Sequence, residues 1–184
     1  SLVRALDQHG PGEGNHAARV AVYAVAIGHE MGLRDEALLE LRWAAELHDV
    51  GKVSIDPALL QKMGKLDEGE LEQMRQHATM AYRVLEEFDW LANSLPAIVH
   101  HHERYDGNGY PEGLFGPDIP LGARIIAVAE TFDVMVEGMP WKDSLNDQAA
   151  LEELDRCSGE QFDPSVVEAF KRVQPLIQPL AQPD

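Results

Sequence analysis

Cysteine is nearly absent from this chain of 184 residues. With Cys157 as its one cysteine, the chain cannot form an internal disulfide, which fits a reducing compartment such as the cytoplasm. No apolar run approaches the roughly 20 residues that a membrane-spanning helix needs, and no secretory signal opens the sequence. We therefore expect a cytoplasmic protein without a membrane segment. The first residue is Ser1 rather than methionine, which leaves room for a sensor domain upstream.

Positive charge is also scarce. The chain has 15 Lys and Arg residues against 32 Asp and Glu residues, which gives a formal net charge of −17. Such a chain repels nucleic-acid polymers and anionic membranes at long range. A phosphate-containing substrate therefore needs a locally positive pocket, which metal ions can supply. Solubility is the simpler explanation of the acidity, and we favour it as the main cause.

Runs of alternating polarity, internal repeats and low-complexity tracts are absent, whereas helical periodicity is frequent. The pattern predicts an all-α fold in one domain over residues 1–184, with a core over about 15–173 and a flexible tail over 174–184. Helices are expected over 16–31, 35–49, 67–85, 91–102 and 121–136, followed by another that starts near residue 163.

Residues that commonly begin or end helices set these boundaries. Gly32 ends the first helix, Asp35 caps the second, and Gly51 breaks the chain after the second. Asp163 followed by Pro164 places a capping acid and a proline at the start of the last helix. The loop over 103–120 is rich in glycine and proline, and loops of this kind between helices are often functional.

Six of the eight histidines suggest a metal site, namely His16, His48, His77, His100, His101 and His102. A single buried histidine is usually an ordinary core residue. The pattern here is more specific, because several histidines lie near predicted helix ends and Asp49 directly follows His48. An imidazole and a carboxylate can both bind one divalent ion, and the second carboxylate oxygen can reach another.

Two ordered motifs carry a family resemblance. The run His48-Asp49-Val50-Gly51-Lys52, followed later by residues 101–111 with the sequence HHERYDGNGYP, resembles the HD-GYP family. The similarity extends from about Asn15 to Val173 and includes residues 119–129. The resemblance implies a helical HD-domain bundle with the Gly/Pro-rich loop near a metal site. It also implies hydrolysis of cyclic di-GMP by a metal-dependent phosphodiesterase.

Carried over by position, the resemblance implies two ions that share Asp49. The first ion would be held by His16, His48, Asp49 and Glu130, and the second by Asp49, His77, His101 and His102. The residue types suit Fe, Mn, Ni or Zn, and the resemblance favours iron or manganese. His100 has no counterpart in the family and is read as a core residue or as one that supports a ligand.

Three positions depart from the family pattern. Glu130 stands where the family has aspartate, and its extra methylene displaces the carboxylate. Gly12 stands where members with three ions carry glutamate, which favours two ions. Met139 stands where the family has an arginine that contacts substrate, although Lys142 matches the second basic position.

The implied mechanism uses a hydroxide activated by two ions to attack the phosphodiester. Lys52 would stabilise a non-bridging oxygen, unless it is a solvated surface lysine. Tyr110, flanked by Gly109 and Pro111, would contact the nucleotide, unless the loop folds back and buries its ring. A further set of arginines could attract phosphate or form salt bridges, namely Arg19, Arg104 and Arg124.

Other functions stay open at this stage. Cleavage could stop at the linear dinucleotide or continue to GMP, and the substrate could be another cyclic dinucleotide such as cyclic GMP-AMP. A weakly active domain that senses nucleotides, or that docks a protein partner through the loop Gly107 to Pro111, is the alternative outside enzymes. A homodimer is also open.

Overall fold

The computed structural model describes residues 13–62, 64–138 and 143–177, and within them the chain is helical. The α-helices are Glu13–Glu30 (α1), Asp35–Leu47 (α2), Pro57–Leu60 (α3), Glu68–Leu85 (α4), Leu95–Val99 (α5), Leu121–Glu137 (α6), Asp147–Arg156 (α7) and Pro164–Val173 (α8). Short 3-10 helices lie at Val50–Ser54, Asp89–Leu91, Gly116–Asp118 and Gln174–Leu176. Over these ranges β-pairing is limited to two isolated bridges. The predicted all-α fold is confirmed.

The helices form one bundle around a shared apolar core. Helix α1 packs against α2, α6 and α8. Val20, Ala24 and Ile27 of α1 are fully buried at this junction. The rings of Phe132 on α6 and Phe170 on α8 meet edge to face with centroids 4.8 Å apart, and both are buried beside the Tyr23 ring of α1. Burial of such aromatic side chains is a large stabilising contribution in a domain of this size.

Several predicted helix boundaries are confirmed. Gly32 follows α1 with φ +94°, a conformation that glycine adopts without steric cost. Asp67 caps α4 in a capping box, in which its carboxylate accepts from the Glu70 amide and the Glu70 side chain accepts from the Asp67 amide. Asp163 caps α8 through the Ser165 amide, with Pro164 at the first position.

Other boundaries were predicted wrongly. Asp35 is not a cap, because Arg34 occupies the N-cap position and Asp35 is already the first residue of α2. The continuous helix over 91–102 is also wrong, since a 3-10 turn ends at Leu91 and α5 covers only Leu95–Val99. Pro96 at the start of α5 has no N–H group and favours a new helix start.

The remaining predictions concern the C-terminal tail, several residues near the ends of the described ranges, and membrane-spanning helices. Gln174–Leu176 form a 3-10 turn and 178–184 lie outside the described residues, so the flexibility of the tail stays a prediction. Met139 and Lys142 also lie outside them, and so does Gly12. Within the described ranges, none of the helices is both long enough and apolar enough to cross a membrane.

Candidate metal centre

Five segments of the bundle bring the predicted ligand residues to one place. His48 lies at the C-cap of α2 and Asp49 follows it at the start of a 3-10 helix. His77 lies inside α4, and the turn after α5 supplies His101 and His102. Helices α1 and α6 add His16 and Glu130.

A glycine allows two of these segments to approach closely. Gly51 was predicted to break α2, but α2 already ends at Leu47 and Gly51 lies within the 3-10 helix. A Cβ atom on Gly51 would lie 1.9 Å from the backbone oxygen of His77. Only glycine therefore fits at this contact. The missing side chain lets the 3-10 helix lie directly on α4, so Asp49 faces His77.

Three of the histidines are oriented in the same way. The Nδ1 atoms of His48, His77 and His101 donate to backbone carbonyls three residues earlier, at distances of 2.7, 2.6 and 2.6 Å. A carbonyl can only accept, so each Nδ1 carries a proton, and Nε2 presents a lone pair whenever the ring is neutral. This arrangement fixes the ring orientation and prepares Nε2 for a metal ion.

His16 is oriented by a carboxylate that the sequence reasoning missed. Its Nδ1 lies 2.7 Å from Oδ2 of Asp133, whose side chain is fully buried. Arg19 also donates to both oxygens of Asp133, at 2.7 and 2.9 Å. Burial would raise the pKa of Asp133, but the bonds from His16 and Arg19 lower it overall. A carboxylate behind a histidine ligand strengthens metal binding. The signal was an acid in an otherwise apolar stretch of α6, three residues after Glu130.

Asp49 lies between the histidine groups. Its Oδ2 is 3.3 Å from Nε2 of His48, and its Oδ1 is 3.6 Å from Nε2 of His77. Lys52 donates to Oδ2 at 2.7 Å. Burial alone would raise the pKa of Asp49, but the charges of Lys52 and His48 hold that pKa well below its usual range. Asp49 is therefore a carboxylate at neutral pH, with Oδ2 toward His48 and Oδ1 toward His77.

The imidazoles of the centre differ in their protonation at neutral pH. Burial lowers the pKa of His101 and lowers that of His102 to about 3, so both rings are neutral at pH 7, the form that binds metals. Burial also acts against a proton on His48, but Asp49 outweighs it and raises the pKa of His48 to about 9. A cation at Nε2 of His48 would displace that proton.

The donor atoms fall into overlapping groups whose members lie within 4.8 Å of one another. The groups are His16, His48 and Asp49; His48, His101 and Glu130; and His77, His101 and His102. The structure thus brings all seven predicted ligand residues together. The grouping differs from the predicted assignment of ligands to two ions. Glu130 groups with His48 and His101, whereas the prediction placed it with His16, His48 and Asp49.

Unpartnered polar atoms show that this donor set fits metal ions. Within the described residues, Nε2 of His48, Nε2 of His101 and Oδ1 of Asp49 are buried without a hydrogen-bond partner. Leaving buried polar atoms unpaired is costly, and native proteins rarely do so without a functional reason. Nε2 of His77 and Nε2 of His102 lie 3.2 Å apart and also point at each other. Lone pairs converging in this way suit a divalent cation.

The loop beside the centre is built around Glu103, a second residue that sequence reasoning missed. Its buried carboxylate accepts backbone N–H bonds from Glu112, Gly113 and Leu114, at 2.7, 3.1 and 3.1 Å. Gly109 packs against the backbone at Glu103 and Arg104, where a Cβ atom would lie 2.2 Å from the Arg104 nitrogen. The absence of a side chain at Gly109 is thus explained by packing, and its predicted role toward substrate stays a prediction.

Two predicted residues of this region sit between the centre and the surface. The Tyr110 ring stacks on the His102 ring with centroids 4.9 Å apart and planes 26° from parallel. The ring is half-buried, and burial raises the pKa of its hydroxyl, which stays neutral. The loop thus packs the ring inward beside the ligands, and the contact of Tyr110 with the nucleotide stays a prediction. Pro111 follows, half-buried, and His100 lies nearby with Nδ1 3.7 Å from Glu103.

A model of the HD-domain family matches residues 1–166. The chain belongs to the HD-domain family. It is 38% identical over 173 residues to the cyclic di-GMP phosphodiesterase response regulator RpfG of Xanthomonas campestris, covering 93% of this chain and 46% of that protein. It is 36% identical over 172 residues to the 3'3'-cGAMP-specific phosphodiesterase 2 of Vibrio cholerae, covering 91% and 33%. The resemblance to the HD-GYP branch is confirmed.

A solved structure supports the fold of this HD domain. A crystal structure of a cyclic GMP-AMP specific phosphodiesterase of Vibrio cholerae (V-cGAP3) superposes with a TM-score of 0.73 at 23% identity. The superposition covers 95% of this chain and 47% of that one. The HD domain thus spans less than half the length of each of these relatives.

Proposed function

We propose that this HD domain is a metal-dependent phosphodiesterase that hydrolyses cyclic di-GMP. The observation that carries the proposal is the set of buried, unpartnered donor atoms on His48, Asp49 and His101, which converge at one place. The relative named as a cyclic di-GMP phosphodiesterase supports the substrate, because 93% of this chain aligns with it. The product is the linear dinucleotide, with GMP as the further product if cleavage continues.

The proposal assigns two divalent ions to the centre, with Asp49 shared between them. Both of its oxygens face histidine nitrogens, one on each side. The other ligands are His16, His48, His77, His101, His102 and Glu130. When bound, such ions neutralise phosphate charge and lower the pKa of water to near neutrality, which supplies a nucleophile for phosphodiester cleavage. The family resemblance favours iron or manganese over nickel or zinc.

The chain's own residues have distinct roles in this proposal. Lys52 holds its ammonium group at the edge of the centre through Asp49 and donates to a non-bridging phosphate oxygen as charge develops. Asp133 keeps the His16 ring oriented, and Tyr110 provides an aromatic face for a base beside His102. Gly109 and Pro111 shape this face, and Lys142 is proposed as a second basic contact.

Cyclic GMP-AMP is the second candidate substrate. The specific observation in its favour is the 36% identity to a relative named as specific for 3'3'-cGAMP. Docking of a protein through Gly107 to Pro111, a homodimer and a cytoplasmic location each stay predictions.

A substrate panel tests the proposal. The protein is purified without oxygen, loaded with manganese or iron, and incubated with cyclic di-GMP, 3'3'-cGAMP and cyclic di-AMP, and products are separated by chromatography. Cleavage of cyclic di-GMP in preference to the others supports the assignment. Preference for 3'3'-cGAMP would replace it with the second candidate, and binding without turnover under either metal would contradict an enzymatic function.

A further inference from the structure

The three arginines that the sequence suggested for attracting phosphate are already paired with carboxylates, which limits what they can offer a substrate. Arg19 is bound to Asp133, and Arg104 donates to both oxygens of Asp106 at 3.1 and 2.7 Å. Arg124 pairs with Asp163 and also donates to the Ile119 carbonyl. Of the two earlier readings of these three arginines, the structure supports the salt bridges.

Arg75 is in a different position. It projects from α4, two residues before His77, and its side chain is 53% exposed. Its nearest carboxylate oxygen among the described residues, Oε2 of Glu72, lies 3.9 Å away, beyond hydrogen-bond distance. An exposed pair at this distance contributes little, so the guanidinium keeps its capacity to donate.

The guanidinium is nevertheless held in place beside the site. Its carbon lies over the Tyr110 ring, 5.5 Å from the centroid, in a cation–π contact. The same ring stacks on His102, whose Nε2 lies 3.2 Å from Nε2 of His77. Tyr110 thus contacts both the exposed Arg75 and the ligand residue His102.

The chain's charge gives this position a function. A net charge of −17 opposes the approach of an anionic dinucleotide, and a basic group at the mouth of the site would reduce that repulsion. A guanidinium that lies over an aromatic ring can still use its N–H groups for two parallel bonds to phosphate oxygens.

We propose that Arg75 is a substrate-binding residue that grips a phosphate of the cyclic dinucleotide from the Tyr110 side of the metal centre. This inference rests on the proposed function. Because Arg75 contacts Tyr110 and is not one of the ligand residues, it acts on binding and leaves the metal content and the chemical step to other residues.

Steady-state kinetics with cyclic di-GMP test the proposal in the manganese-loaded protein. Arg75→Ala is expected to raise KM about 10- to 100-fold, as loss of a charged hydrogen bond does, with kcat and metal content close to wild type. Arg83→Ala is the matched control, because Arg83 is exposed on the same helix and its substitution removes the same charge. An unchanged KM in Arg75→Ala, or an equal rise in Arg83→Ala, would overturn the proposal.

Two further variants separate a phosphate contact from a base contact. Arg75→Lys keeps the charge, so its KM should lie between those of wild type and Arg75→Ala. Arg75→Gln keeps hydrogen-bond donors without the charge, so its KM should stay as high as that of Arg75→Ala. Recovery by Gln but not by Lys would point to a base edge and overturn the assignment. Calorimetry of cyclic di-GMP binding to wild type and to Arg75→Ala separates this proposal from the proposed function. If the protein binds cyclic di-GMP through Arg75 but does not cleave it, only the proposed function is contradicted. If the wild type does not bind cyclic di-GMP, both proposals are contradicted.

Discussion

Nδ1 of His16 lies 2.7 Å from Oδ2 of Asp133, across 117 positions of the chain. Because the same carboxylate binds Arg19, it fixes the imidazole from behind. We expect Asp133→Asn to weaken metal binding about 10-fold, since the amide can no longer accept from both partners as an anion. Competition with a chelator measures this change. Asp89→Asn, at an exposed aspartate, is the control, and equal metal retention in both variants would contradict the role of Asp133.

Lys52 is predicted to act on the reaction and not on metal binding. Its ammonium group lies 2.7 Å from Oδ2 of Asp49 and is partly exposed, at 23% of the side chain. Lys52→Ala should keep the metal content and lower kcat about 100-fold, as loss of one transition-state donor does. Lys62→Ala, which removes a surface pair with Glu70, should leave kcat unchanged. A normal rate in Lys52→Ala would remove Lys52 from the mechanism.

Glu130 tests how strictly the centre depends on side-chain length. Its carboxylate reaches the same group of donor atoms as His48 and His101. Glu130→Asp restores the residue that the family usually has and should preserve or raise activity, whereas Glu130→Gln should lose metal because it removes the anionic ligand. Activity and metal analysis of both variants check this. Complete loss in Glu130→Asp would show that the site requires the longer side chain.

The cap of α8 predicts a pH dependence of stability. Asp163 accepts from Ser165 at 2.7 and 2.8 Å and pairs with Arg124. Although burial acts in the opposite direction, the Ser165 and Arg124 contacts lower the pKa of Asp163 below its usual value. The stabilisation is therefore complete above the unfolded pKa, near 4, and is lost as the pH falls through the lower folded pKa.

Urea unfolding of Asp163→Asn and wild type at pH 7 and pH 3.5 measures this effect. At pH 7 the variant should be about 1–2 kcal/mol less stable, and the difference should narrow at the lower pH. Asp155→Asn, which breaks an exposed pair with Lys171, should change stability little. A difference of the same size at both pH values would contradict the argument.

Much of the fold could be predicted because its determinants are local. Apolar periodicity located α4 and α6, and capping residues such as Asp67 and Asp163 act within one helical turn. The metal ligands could also be proposed from the sequence, because His48 and Asp49 are adjacent in it. The break before α5 was missed, since the 3-10 turn that ends at Leu91 lies only a few residues before α5 and the two together resemble one helix.

The supporting residues could not be predicted in the same way. Asp133 and Glu103 look like ordinary acids until the bundle brings His16 and the loop amides to them. Arg75 likewise resembles any exposed arginine until Tyr110 packs under it. These contacts depend on how distant segments pack, and local sequence patterns do not identify the partners of these side chains.

Metal analysis of anaerobically purified protein tests most directly the claim that these donors gather cations around Asp49. The account predicts about two divalent ions per chain in wild type and a marked loss in Asp49→Ala and in His48→Ala. His29→Ala, which removes an exposed histidine of α1, should retain the wild-type content. A wild-type protein that binds no ions after loading, or an Asp49→Ala variant with an unchanged ion content, would contradict the account.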